Sequence, residues 1–140
     1  MILDEIRARY RMADFRWVHV HNVDELQAFF VSILPRIREA ARSCGYAIGA
    51  HGSMRRDLDL IAAPWIAEHS DADTLVRAIH LAACGIENEH YDWGREVKPC
   101  GRRGISAIPV CWIDWPHPHP DGIGHIDLAL MPDTAHFSTA

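Results

Sequence analysis

An α+β fold, an α/β layer arrangement with a mixed, mainly antiparallel sheet and helices packed on one face, is what this sequence predicts. Three features predict it: two long stretches with apolar residues at helical spacing, several short β-rich runs cut off by glycine and proline, and the order helix, strand, strand, helix, strand, strand.

The elements follow in order. Residues 1–21 form an N-terminal extension with a short helix near Leu3 to Arg11 and an alternating run, Phe15 to His21, that suits an edge strand. Asn22-Val23-Asp24-Glu25 has the form of a capping box, and Leu26, Phe29, Phe30, Ile33, Leu34, Ile37 and Ala41 give the following helix its apolar stripe. Pro35 removes one helical hydrogen bond, so a kink or two consecutive helices are expected before the stop at Gly45. Tyr46 to His51 and Asp57 to Ala62 read as a hairpin of two strands, closed by Pro64. Ser70-Asp71-Ala72-Asp73 starts a second amphipathic helix through Leu75, Val76, Ile79 and Ala82, with Gly85 as its stop. Glu87 to Gly104 suits a short strand plus a basic loop, Lys98 to Arg103. Ile105 to Trp115 and His125 to Met131 form a second, looser hairpin across a segment rich in proline and glycine. The tail, 133–140, is expected to be mobile.

Composition bounds the function. A chain of 140 residues, 49% hydrophobic and 24% charged, can bury one core but hardly two, so a single domain over 1–140 is expected. No run approaches the ~18 apolar residues of a membrane span, and the opening Met1 to Arg7 lacks a signal peptide's apolar middle. A cytoplasmic protein without a membrane partner is the expectation. The four cysteines form no Cys-x-x-Cys pair and suit reduced, structural roles. A net charge of −5 argues against extended nucleic-acid binding, while leaving room for a local basic patch that holds a few phosphates.

The chemistry concentrates around Gly52-Ser53-Met54-Arg55-Arg56-Asp57-Leu58-Asp59. Strand side chains alternate, so Asp57 and Asp59 share one face while Leu58 and Leu60 share the other. The same parity sets Asp127 opposite Ile126, Leu128 and Leu130. If both apolar sets face the helices, the three aspartates share the open face, where a hard divalent cation such as magnesium would relieve their repulsion. A glycine-serine turn offers backbone amides and a hydroxyl to phosphate, and Arg55 or Arg56 could balance its charge. Lys98 is a further candidate for phosphate contact. The competing reading is the ordinary polar face of an antiparallel sheet.

This order of strand, Gly52-Ser53, Asp57-x-Asp59 strand, helix and later strand with Asp127 resembles the nucleotidyltransferase superfamily, which includes the family-X polymerases and the minimal nucleotidyltransferases. The resemblance runs from Tyr46 to Met131. It implies a nucleotidyltransferase-like fold, phosphate binding at Gly52 and Ser53, and magnesium held by Asp57, Asp59 and Asp127 as the metal-holding, catalytic carboxylates. The implied partners are a nucleoside triphosphate and a hydroxyl acceptor. The family normally places a longer loop or a one-turn helix between Gly-Ser and the first Asp; here only Met54-Arg55-Arg56 intervene.

Two alternatives stand beside it. One is a noncatalytic binding domain that keeps the fold, with homo-oligomerisation through its apolar strands. The other is a histidine-metal hydrolase using His117, His119 and His125, or His19 and His21. His51 suits a strand-end histidine bonded to backbone. Trp65, Trp93, Trp112 and Trp115 suit the core or its rim better than stacking on a base.

Overall fold

A computed structural model describes residues 2–10, 18–19, 22–84, 95–97, 103–109, 113–114 and 125–131. In chain order the elements are α1 (Ile2–Tyr10), β1 (Val18–His19), α2 (Val23–Ser43), β2 (Tyr46–His51), β3 (Leu58–Pro64), α3 (Ala72–Cys84), β4 (Arg95–Val97), β5 (Arg103–Pro109), β6 (Ile113–Asp114) and β7 (His125–Leu130). Five strands make one mixed sheet in the order β2-β3-β7-β5-β4. Its β3–β7 pairing is parallel and its other three are antiparallel. The expected α+β architecture is the one observed.

Pleat alternation divides the sheet into two faces. Leu58, Leu60 and Ala62 of β3 and Ile126, Leu128 and Leu130 of β7 are all buried, in one core with Leu26, Phe30, Ile33 and Ile37 of α2 and Leu75, Val76 and Ile79 of α3. The residues between them, Asp59, Ile61, Asp127 and Ala129, are only partly buried and line the opposite face. Helix α1 packs beside α3 and adds Ile6 to the core, so the amino-terminal segment contributes to folding as well as extending the chain. A surface ion pair between Arg9 and Glu39 links α1 to α2.

Helix α2 begins as the capping pattern requires. Asn22 is extended, with φ −156° and ψ 174°, and its side chain accepts the Glu25 amide at 2.9 Å. Of the two outcomes expected at Pro35, two consecutive helices are not found: α2 is one helix of 21 residues with Pro35 inside it. Proline costs a helix one hydrogen bond, and here the orphaned carbonyl belongs to Val31, which is 56% exposed and so on the wet side. Ile33, Leu34 and Ile37 meanwhile hold both halves to the core. The helix stops at Gly45, whose φ of +87° is left-handed; a Cβ there would lie 2.7 Å from the His69 backbone.

That close approach belongs to a clamp between the α2 C-terminus and the segment leading into α3. Trp65 and Ser70 donate their amides to the carbonyls of Gly45 and Cys44, at 3.0 and 2.7 Å. The Tyr46 hydroxyl donates to the Ser70 carbonyl at 2.6 Å. Cys44 is buried and free of any disulfide, and burial pushes its thiol up, which keeps it protonated and inert. Trp65 points the other way and is 61% exposed, so it does not fill the core.

Two further sequence expectations compare with the structure as follows. Within the run Ile105 to Trp115 the described residues belong to β5, up to Pro109 in the main sheet, and to β6, Ile113–Asp114, which pairs with β1 outside it. The expected edge strand between Phe15 and His21 is described only at Val18–His19, which pairs in parallel with β6 in a separate two-stranded ladder. The tail 133–140 lies outside the described residues. Among the described residues, no helix is long and apolar enough to cross a membrane.

The start of α3 yields a test of this local structure. Asp71 Oδ1 accepts the Thr74 amide at 2.8 Å, and this backbone hydrogen bond, with help from the Thr74 side chain, holds the Asp71 carboxyl below its ordinary value of 3.8. A depressed folded-state pKa means stability that is present above the unfolded value and lost as pH falls through the folded one. Asp71→Ala should therefore cost about 1 kcal/mol in urea unfolding at pH 7. The difference from wild type should shrink as the pH is taken below 3.8.

Candidate functional site

The open face of the sheet carries its polar groups in one transverse row. His51 of β2 pairs with Asp59 of β3, and Asp59 pairs with Asp127 of β7. Directly paired positions put their side chains on the same face, with strands ~4.8 Å apart, so the two carboxylates arise side by side. His51 stands on the far side of Asp59 and is exposed. Beyond Asp127 the ladder to β5 is irregular between Ile105 and Ile108, opposite Leu128 and Ile126, so a bulge borders the aspartate on that side. Bulges of this kind re-aim backbone and end regular pairing beside functional sites.

Like charges at directly paired sheet positions are destabilising, and at ~5 Å with an effective dielectric of 20 two carboxylates repel by roughly 3 kcal/mol. Leucine or valine at 59 and 127 would serve a simple sheet better. The direct pairing of two aspartates on this face is thus a departure from ordinary sheet composition.

The turn between β2 and β3 lies at the end of this row. Gly52 has φ +81° and sits so close to Asp59 that a Cβ would meet Oδ2 at 2.7 Å. Glycine is thus required twice, by its left-handed backbone and by the carboxylate pressed against it. Met54 is also left-handed, at φ 55°, which is unusual for a residue with a side chain. The Ser53 hydroxyl accepts the Arg55 amide at 3.3 Å, and the Ser53 carbonyl accepts from the side chain of Gln27 on α2 at 2.7 Å. Ser53, Arg55 and Arg56 are exposed.

Of the residues expected from sequence, the structure brings Gly52, Asp59 and Asp127 together. Asp57 immediately precedes β3 instead of lying within it, so ladder alternation does not direct its side chain; it is partly buried, and its Oδ1 is screened from solvent. Arg55 and Arg56 lie on the same turn. Lys98 falls outside the described residues, as do Arg102, His21, His117, His119, Trp93, Trp112 and Trp115. His19 and His125 are described in backbone only. Gln27 carried no signal, because its contact with Ser53 spans 26 residues and depends on how α2 lies over the hairpin.

Among the described residues, no three His, Cys, Asp or Glu side chains are arranged as a ready-made metal cluster. The donors nevertheless fit magnesium by type. Asp59 and Asp127 offer only hard carboxylate oxygens, and magnesium is usually held through one or two carboxylates, with substrate phosphate and water completing the shell. Gly52 keeps the space beside Asp59 Oδ2 free of a side chain. Comparison of this chain with protein-family models, curated proteins and solved structures yields no match.

The packing of Gly52 against Asp59 can be tested directly. Gly52→Ala should destabilise the protein by about 1–2 kcal/mol through the left-handed backbone alone. Adding Asp59→Ala should recover the part that comes from the close contact, so a double-mutant cycle by chemical unfolding should give a non-zero coupling between the two positions.

Proposed function

We propose that this protein is a magnesium-dependent, nucleotidyltransferase-like protein that binds a nucleoside triphosphate at the β2–β3 turn and the adjoining carboxylates. The observation that carries the reading is the direct pairing of Asp59 with Asp127 on the open face, beside a turn in which Gly52 and Met54 are left-handed. Two carboxylates and a turn with exposed amides are the two halves that a metal-triphosphate ligand needs.

In this reading Gly52 and Ser53 receive the phosphates, with Arg55 and Arg56 balancing their charge. Asp59 and Asp127, with Asp57 at the mouth of β3, would hold magnesium. The ion would supply charge stabilisation at the phosphates and at the departing pyrophosphate. The acceptor's hydroxyl oxygen bonds to the α-phosphorus while the bond from that phosphorus to the bridging oxygen of pyrophosphate breaks. The hydroxyl proton passes to the Asp127 carboxylate, which stands on the central strand beside the bulge. A cytoplasmic setting, where triphosphates and magnesium are abundant, belongs to the same proposal.

The noncatalytic alternative draws on the short Met54-Arg55-Arg56 connection, which leaves little chain to wrap a triphosphate. Calorimetric titration with a nonhydrolysable analogue of each nucleoside triphosphate, with and without magnesium, separates the two readings. Magnesium-dependent binding that weakens at least about tenfold, or roughly 1.4 kcal/mol, in Asp59→Ala and in Asp127→Ala is the expected result. Absence of binding to every analogue, or binding that both variants retain, would reject the proposal.

A further inference from the structure

We infer that Gln27 is a positioning residue for the phosphate turn, holding the Ser53–Met54 peptide so that the Met54 amide faces a bound phosphate. The inference rests on the phosphate-binding reading of that turn. Gln27 lies in the second turn of α2, and its backbone is fixed by Leu26 and Phe30, both completely buried. Its Nε2 donates to the Ser53 carbonyl at 2.7 Å. In a trans peptide the carbonyl and the following N–H point in opposite directions within one plane. No peptide bond described here is cis. With the Ser53 carbonyl drawn toward α2, the Met54 N–H must point away from it, to the outer side of the turn.

That peptide needs holding. Met54, at φ 55°, occupies a conformation that residues with a Cβ ordinarily avoid. Backbone strain of this kind persists only where surrounding contacts impose it. Three contacts do so here: Gln27 on the Ser53 carbonyl, the Ser53 hydroxyl accepting the Arg55 amide, and the Met54 side chain packed against the core. Left-handed turns orient successive amides into a concavity suited to anions. Gln27 thus connects the stable helix α2 to the one peptide whose orientation decides whether the turn presents an amide outward.

Gln27→Met keeps the length of the side chain and removes the donor; Gln27→Glu keeps the shape and replaces the donor with an acceptor. Both would be compared with wild type, as full chains, by calorimetry and by amide NMR during titration with inorganic tripolyphosphate and magnesium. The wild-type Met54 amide should shift on titration. Gln27→Met should weaken binding about 3- to 10-fold, the span of one net hydrogen bond, and reduce the Met54 shift. Gln27→Glu should bind still more weakly, with both variants still unfolding cooperatively on heating. Wild-type affinity and an unchanged Met54 shift in both variants would overturn the role of Gln27 alone. Failure of wild type itself to bind tripolyphosphate would overturn the phosphate reading and this inference with it.

Discussion

Strands β3 and β7 run parallel at the centre of the sheet, pairing Leu58 with Ile126, Asp59 with Asp127 and Leu60 with Leu128. The adjacency of the two aspartates depends on this register. Strand side chains have a period of two, so a slip of one residue would send Asp59 or Asp127 into the core and a leucine into solvent. Burial of Leu58, Leu60, Ile126 and Leu128 beneath α2 and α3 forbids that slip. The apolar face thus fixes the polar one: the energy that keeps the aspartates adjacent comes from hydrocarbon burial on the opposite side of the sheet.

Helix α2 joins this core to the turn. Its buried stripe anchors it over the sheet, and from the same surface Gln27 reaches the Ser53 carbonyl. At its other end the helix is closed by Gly45 and held to the segment before α3 through Trp65, Ser70 and Tyr46. Both ends of α2 are therefore tied to loops, and the loop at the hairpin tip contains two residues of positive φ within three positions, Gly52 and Met54. Glycine adopts such a backbone without cost, so the strain lies at Met54, which carries a side chain, in the turn beside Asp59.

Much of the fold was legible because local signals agreed with one another. Asn22 and Asp71 cap helices whose apolar residues recur at helical spacing, and alternation in 58–62 and 126–130 assigned each residue to a face. Pro35 did not split α2 in two, because it removes only one hydrogen bond while Ile33, Leu34 and Ile37 hold both halves of the helix to the core. The β-rich run that begins at Ile105 gave no sign that Ile113–Asp114 would pair outside the main sheet. Long-range pairings left no local trace: nothing near Val18 announces Ile113 as its neighbour, and nothing in Asp59 announces Asp127 as opposed to another position on β7. Parity could put the aspartates on one face; only the register makes them adjacent. The reach of Gln27 to Ser53 was illegible for the same reason.

We propose that the Asp59–Asp127 row and the Gly52 turn form one cation- and phosphate-holding end of the sheet. The most direct test of this proposal is paramagnetic broadening of backbone amide signals by substoichiometric manganese, in the presence of a nonhydrolysable triphosphate. Broadening centred on Gly52, Ser53, Asp59 and Asp127, and abolished by excess magnesium, is the expected result. Broadening centred elsewhere, or spread evenly over surface carboxylates such as Asp24 and Glu39, would contradict it.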